Sequence, residues 1–213
     1  MEYLDLSPYE YRKFPIPMRS VGWLGPKYGV QGINSSPAVA ADVKRLASVS
    51  RRLGSVMLGT HECEFCPEAS AFEGNGEYRY YSQDGEVYSA PMMILHYIKE
   101  HGYSPPREFL ENLRVDRRLD WDWRADNFVN ILLDGSEDLD FRCEAIIDLA
   151  NWEDVRSLDA LKLATRDEEL VDVAGDEIGR SLALLLPCKF ASDIRVEDFP
   201  EAVRFGIDQI LRQ

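Results

Sequence analysis

No stretch of this sequence stays apolar for long. The longest apolar runs, Leu182 to Leu186 among them, fall far short of the roughly 20 residues that cross a bilayer. The opening MEYLDLSPYEYRKFPIPMRS likewise lacks the uninterrupted apolar segment of a secretory signal. Membrane association and export are excluded on this reading, and a cytoplasmic location is expected. Positive charge is also scarce, with 24 Lys and Arg against 38 Asp and Glu. The basic stripe Lys44, Arg45, Arg51 and Arg52 is too small for a nucleic-acid surface. Catalytic signatures are missing as well. Gly74-Asn75-Gly76 has neither the strand-to-helix setting nor the lysine of a phosphate loop, and reads as a turn. No enzyme activity is expected.

What the sequence does contain is an ordinary apolar fraction, 45%, enough for folded domains in a chain of 213 residues. Its net charge of −14 is unevenly spread. Residues 1–110 hold 11 basic and 13 acidic side chains, giving 11 − 13 = −2, whereas residues 111–213 hold 13 and 25, giving 13 − 25 = −12. Such a surface repels phosphate backbones and speeds encounter with a basic protein.

Local patterns divide the chain in the same place. Tyr3 to Leu6 and Val21 to Leu24 read as short strands, Ala38 to Leu53 as a helix, and Glu77 to Ser89 as a hairpin turning at Asp84-Gly85. A short helix is expected from Pro91 to His101, stopped by Gly102 and barred from continuing by Pro105-Pro106. The charged stretch after Leu113 reads as a junction, beyond which helices are expected near 125–133, 138–151, 153–166, 170–186 and 198–212. The expected architecture is an α+β domain over residues 1–115 followed by an all-α domain over 116–213.

All three histidines fall between positions 61 and 101, together with the one closely paired set of cysteines. The order is His61-x-Cys63-x2-Cys66, a hairpin, then His96-x4-His101 on the short helix, which is the order of a ββα zinc site. Two residues between thiolates let both sulfurs reach one tetrahedral ion. A spacing of five puts His96 and His101 about 140° apart on a regular helix, workable at a loosened helix end. The expected ligands are Cys63, Cys66 and two of His61, His96 and His101. Four of them close the coordination sphere, implying a structural zinc. Glu62 and Glu64 disfavour a reactive thiolate, and the spacing is not that of a zinc deaminase. Cys143 and Cys188 stand alone in apolar helical contexts.

Two resemblances follow from these strings. Tyr3-x-x-Leu6-Ser7-Pro8-Tyr9, Val21-Gly22-Trp23-Leu24, the His-x-Cys-x2-Cys run, Gly74-Asn75-Gly76-Glu77 and the segment from Ala90 to Pro106 resemble an uncharacterised bacterial domain. The second half carries Asp140–Ile147 and a related run at Asp172–Gly179, 32 residues on. It is similar to the HEAT-like repeats of the phycobilisome-lyase type, whose units place an acidic turn before an Arg-x-x-Ala helix. Asp138, Asp140, Arg142 and Ala145 match that pattern, and the second unit lacks the arginine. Small acidic bacterial proteins of this kind resemble immunity proteins, which neutralise a toxin. The expectation is therefore a protein-binding inhibitor of a basic bacterial toxin domain. Its contact residues would be drawn from Asp138, Asp140, Glu144, Glu153, Asp154, Asp167, Glu168, Glu169, Asp172 and Asp176. A zinc-dependent hydrolase and a cytoplasmic scaffold are the alternatives.

Overall fold

A computed structural model describes residues 2–30, 40–67, 72–114 and 118–212. The chain divides into two compact units, Met1–Arg117 and Arg118–Gln213. No described helix is long and apolar enough to cross a membrane.

The first unit is built on a four-stranded sheet of order β1-β4-β3-β2, with β1 Arg19–Ser20, β2 Ser55–Glu62, β3 Glu73–Tyr81 and β4 Val87–Pro91. Helices α1 Ala40–Val49, α2 Ile94–His101 and α3 Arg107–Arg114 complete it. The hairpin at Asp84-Gly85 forms as its turn chemistry implies, Gly85 taking φ 96°. Its strands run further than expected. Gly74-Asn75-Gly76 is the start of β3 and not a loop, because β2 pairs with it. A Cβ at Gly76 would lie 2.7 Å from the Ser55 carbonyl oxygen, so glycine is what lets the two strands close. Pro91 ends β4 and does not open the helix. Pro105-Pro106 bars continuation of α2 but launches α3, with the Leu110 N–H bonded to the Pro106 carbonyl, a start proline tolerates. The strands read at Tyr3–Leu6 and Val21–Leu24 resolve into irregular pairing, in which Tyr3 N–H donates to Trp23 O and Leu6 N–H to Ser20 O.

The core of this unit joins Val21, Leu46, Tyr80, Tyr88, Ile94, Tyr97, Tyr103 and Phe109. The buried acids Glu77 and Asp5 sit beside it, and each has partners, as burial requires. Glu77, 0% exposed, accepts from Tyr9, from Ser89 Oγ at 3.2 Å and from Arg79 Nη2 at 3.2 Å. Asp5 accepts from Gly22 N–H and Tyr103 Oη, both at 2.8 Å. Burial pushes the Asp5 carboxyl above its ordinary value.

The second unit is helical throughout, with α4 Trp123–Leu133, α5 Leu139–Leu149, α6 Val155–Ala164, α7 Glu168–Leu185 and α8 Glu201–Leu211. Helix α4 packs on α5 and α6, α7 on α5, α6 and α8. An aspartate caps each of the first four: Asp122, Asp138, Asp154 and Asp167 accept from a backbone N–H two or three residues on, filling the donors a helix start leaves open. Asp122-x-Arg124 recurs as Asp154-x-Arg156, 32 residues later, and in both the guanidinium pairs with the capping carboxylate. Each arginine also lies over a tryptophan, Arg124 over Trp152 at 5.5 Å and Arg156 over Trp121 at 4.0 Å. Arg142 of α5, nearly buried, ties Leu132 O at the end of α4 to the Asp167 cap of α7. Its counterpart 32 residues on is Ala174, where α7 is kinked (φ −135°). Past the kink, α7 and α8 approach so closely that only glycine fits. A Cβ at Gly179 would lie 2.0 Å from Val203 O, and one at Gly206 1.9 Å from Asp176 O.

Candidate metal centre

Cys63 leaves the end of β2 with its N–H bonded to Phe72 O at 2.8 Å, and the Cys66 N–H turns back to Cys63 O at 3.2 Å. That knuckle points both thiols the same way. The β3–β4 hairpin then returns the chain to α2, which carries His96 in its first turn and His101 as its last residue. Gly102, at φ 69°, closes the helix in the left-handed conformation, as helix ends favour. The two imidazoles nevertheless converge, their Nε2 atoms 3.1 Å apart.

The four donor atoms lie within 4.8 Å of one another. Cys63 Sγ is 3.2 Å from His101 Nε2, while Cys66 Sγ is 3.3 Å from His96 Nε2 and 3.4 Å from His101 Nε2. A tetrahedron with metal–sulfur bonds of about 2.3 Å and metal–nitrogen bonds of about 2.0 Å has S···N edges of roughly 3.5 Å and N···N edges of roughly 3.3 Å. The observed spacings are those of four donors facing one small centre. The residues present fit a divalent ion of the zinc type, two soft sulfurs and two imidazoles being its preferred company.

Neighbouring rings fix the ligands' orientation. Phe72 stacks on His96 with centroids 4.5 Å apart and planes 10° from parallel, and Phe65 leans on His101 at 5.7 Å. Cys63 is almost completely buried. Burial pushes its thiol above the usual value, so a metal must displace a proton to engage it. Burial, then the charge of His101, lowers the His96 pKa and keeps that ring neutral, the form that ligates.

Of the five ligands read from the sequence, Cys63, Cys66, His96 and His101 come together. His61 does not join them: it lies exposed on β2, one residue before the strand ends at Glu62. Cys143 and Cys188, each half-buried in the helical unit, take no part.

The ten acids nominated for partner contact fall into two groups. Glu144 is buried at 6% exposure, Asp154 and Asp167 are engaged as caps, and Glu153 and Asp176 pair with Arg118 and Arg180. Asp138, although a cap, is exposed, as are Asp140, Glu168, Glu169 and Asp172. The Asp-x-Arg caps at 122 and 154, with their tryptophans, were overlooked as a repeat; their identical 32-residue offset was the available signal.

No curated protein and no solved structure matches the chain. Residues 1–114, which hold the whole Cys/His cluster, match the model of a domain of unknown function (DUF7919), and since that is more than half of its length the chain belongs to this family.

Proposed function

We propose that the chain is a cytoplasmic protein-binding inhibitor, of the immunity type, with a first unit locked by structural zinc and an acidic, HEAT-like second unit that meets a basic partner. The observation that carries the reading is the segregation of charge, −2 up to residue 110 and −12 after it, together with acids that have no internal use. Caps and ion pairs account for Asp122, Asp154, Asp167 and Asp176. Glu168, Glu169 and Asp172 are exposed on the first turns of α7 and form no ion pair with a described residue. Unpaired surface charge of one sign steers a partner of the other. Packing of α4 against α6 and of α5 against α7 supports the helix-pair repeat.

Zinc, when bound, would be held by Cys63, Cys66, His96 and His101, and would supply cross-linking of the knuckle to α2. Four side-chain donors complete a tetrahedron and leave no position for the activated water that a hydrolase needs. The donor set thus favours a fold-stabilising ion over a catalytic one.

The test is co-expression with the product of the adjacent gene, followed by co-purification and a toxicity assay. A complex whose association slows as salt rises, and slows at least about tenfold on changing Glu168, Glu169 and Asp172 to lysine, is expected. Circular dichroism establishes that the variant stays folded. No complex and no protection would remove the immunity reading, and binding that survives the charge reversal would remove the acidic face.

A further inference from the structure

The two sulfurs of the metal centre differ in access. Cys63 is 2% exposed, whereas Cys66 is half-buried and lines a solvent-open hollow of about 740 Å³, within the range of small-molecule sites. Phe72, His96, Lys99 and His101 line it too, and Cys63 is not among the described residues that do. A small solute therefore reaches one sulfur before the other.

The knuckle keeps the pair within reach of each other. The Cys66 N–H bonds to Cys63 O at 3.2 Å, closing a four-residue turn, and such turns hold their end α-carbons within about 7 Å. Disulfides span about 4.4–6.8 Å between α-carbons. The two Sγ atoms lie no more than 4.8 Å apart, so a bond between them needs little backbone movement. A bound zinc-type ion would hold both sulfurs as thiolates, whatever Glu62 and Glu64 do to the free thiols.

We infer that Cys66 is a site of oxidation by hydroperoxides, that Cys63 resolves it, and that the disulfide between them unlocks the first unit. The inference rests on the reading of the cluster as a structural zinc site. Cys66 Sγ attacks the terminal oxygen of the hydroperoxide, the O–O bond breaks, and the departing oxygen takes a proton from water. Cys66 is left as a sulfenic acid, which condenses with a neighbouring thiolate. Cys63 Sγ then displaces its hydroxyl, forming the S–S bond and releasing hydroxide. The sulfurs have given up two electrons, and the hydroperoxide is reduced to an alcohol and water, or to two waters when it is hydrogen peroxide. Only His96 and His101 remain as donors, too few to close a tetrahedral site, so oxidation has the effect of chelation. A dithiol reverses it by thiol–disulfide exchange.

The experiment uses the full chain, purified reduced and without added metal, with hydrogen peroxide as the probe. Zinc content is measured first, and a chain without zinc would overturn the zinc reading and the release with it. In the zinc-bearing chain, a zinc-sensitive dye should report about one ion released per peroxide consumed, and peptide mapping should find Cys63 joined to Cys66. Dimedone added during oxidation should mark Cys66. Hydrogen exchange should rise over the first unit, and dithiothreitol with added zinc should restore protection. Changing Cys143 and Cys188 together to serine should leave the release unaltered, since neither belongs to the cluster. Zinc retained as the peroxide is consumed would overturn this inference and leave the structural zinc standing. So would release without a Cys63–Cys66 disulfide, dimedone on Cys63 alone, or release abolished by the double serine change.

Discussion

The two units are held together by opposite strategies. In the first, the contacts that matter join residues far apart in sequence: Asp5 with Tyr103, Tyr9 with Glu77, and Cys63 and Cys66 with His96 and His101. In the second, order is written locally and repeated. Aspartates cap successive helices, Asp122-x-Arg124 recurs as Asp154-x-Arg156, and longer ties such as Arg142 to Asp167 and Ser181 to Ile146 O join helices that are already formed locally. A fold of long-range ties has few elements that stand alone, so loss of one convergent point should be felt throughout it. A fold of capped helices should lose stability in increments.

The largest expected contrast comes from the cluster. Chelation, or His101→Ala, should unfold the first unit, since closed zinc sites of this kind contribute on the order of 10 kcal/mol at neutral pH. Hydrogen exchange should show protection lost over residues 2–114 and retained over the helices after 118. Simultaneous loss in both halves would break the comparison.

A smaller effect is expected where α7 meets α8. Gly179→Ala sets a methyl 2.0 Å from Val203 O and must part the helices, costing about 3 kcal/mol in a denaturant titration, against almost nothing at Gly135, where an added Cβ meets no atom within 4 Å. Equal stabilities for the two variants would show that the close approach of α7 and α8 does not hold.

The smallest effects belong to single caps. Asp167→Ala should cost about 1–2 kcal/mol at pH 7, removing a cap and a partner of Arg142. Its hydrogen bond from Arg142 holds the Asp167 carboxyl below the ordinary aspartate range. The folded chain therefore keeps that group ionised to lower pH than the unfolded chain does. Its contribution is complete above about pH 4 and vanishes as pH falls through the folded value, so wild type and variant should converge in acid. Asp5 has the opposite sign: with its pKa raised by burial, it lowers stability as pH rises from the ordinary aspartate value towards the folded one. Carbon NMR of the aspartate carboxyls separates the two, and an Asp167 titrating above Asp5 would contradict at least one of the assignments.

The helical half was legible because period and punctuation agree there. Apolar residues recur at helical spacing and acids mark the turns, so α4 to α8 lie close to where the pattern puts them. The convergence of Cys63, Cys66, His96 and His101 was legible for a related reason, since Cys-x2-Cys and paired histidines around a hairpin leave few arrangements. Strand β2 was not. Its register slips between Val56 and His61, and it lies at the sheet edge with Val56 and Leu58 exposed, which erases the alternation a half-buried strand displays. Glu144 was misjudged because an acid on a helix reads as surface until the packing of that helix is known.

The central claim, a closed tetrahedral site joining the Cys63–Cys66 knuckle to α2, is tested most directly by metal content and X-ray absorption on protein purified without added metal. The account predicts about one zinc per chain, surrounded by two sulfurs at about 2.3 Å and two nitrogens at about 2.0 Å with no oxygen ligand. Less than about 0.2 equivalents with the fold intact after chelation, or an oxygen in the coordination shell, would contradict it.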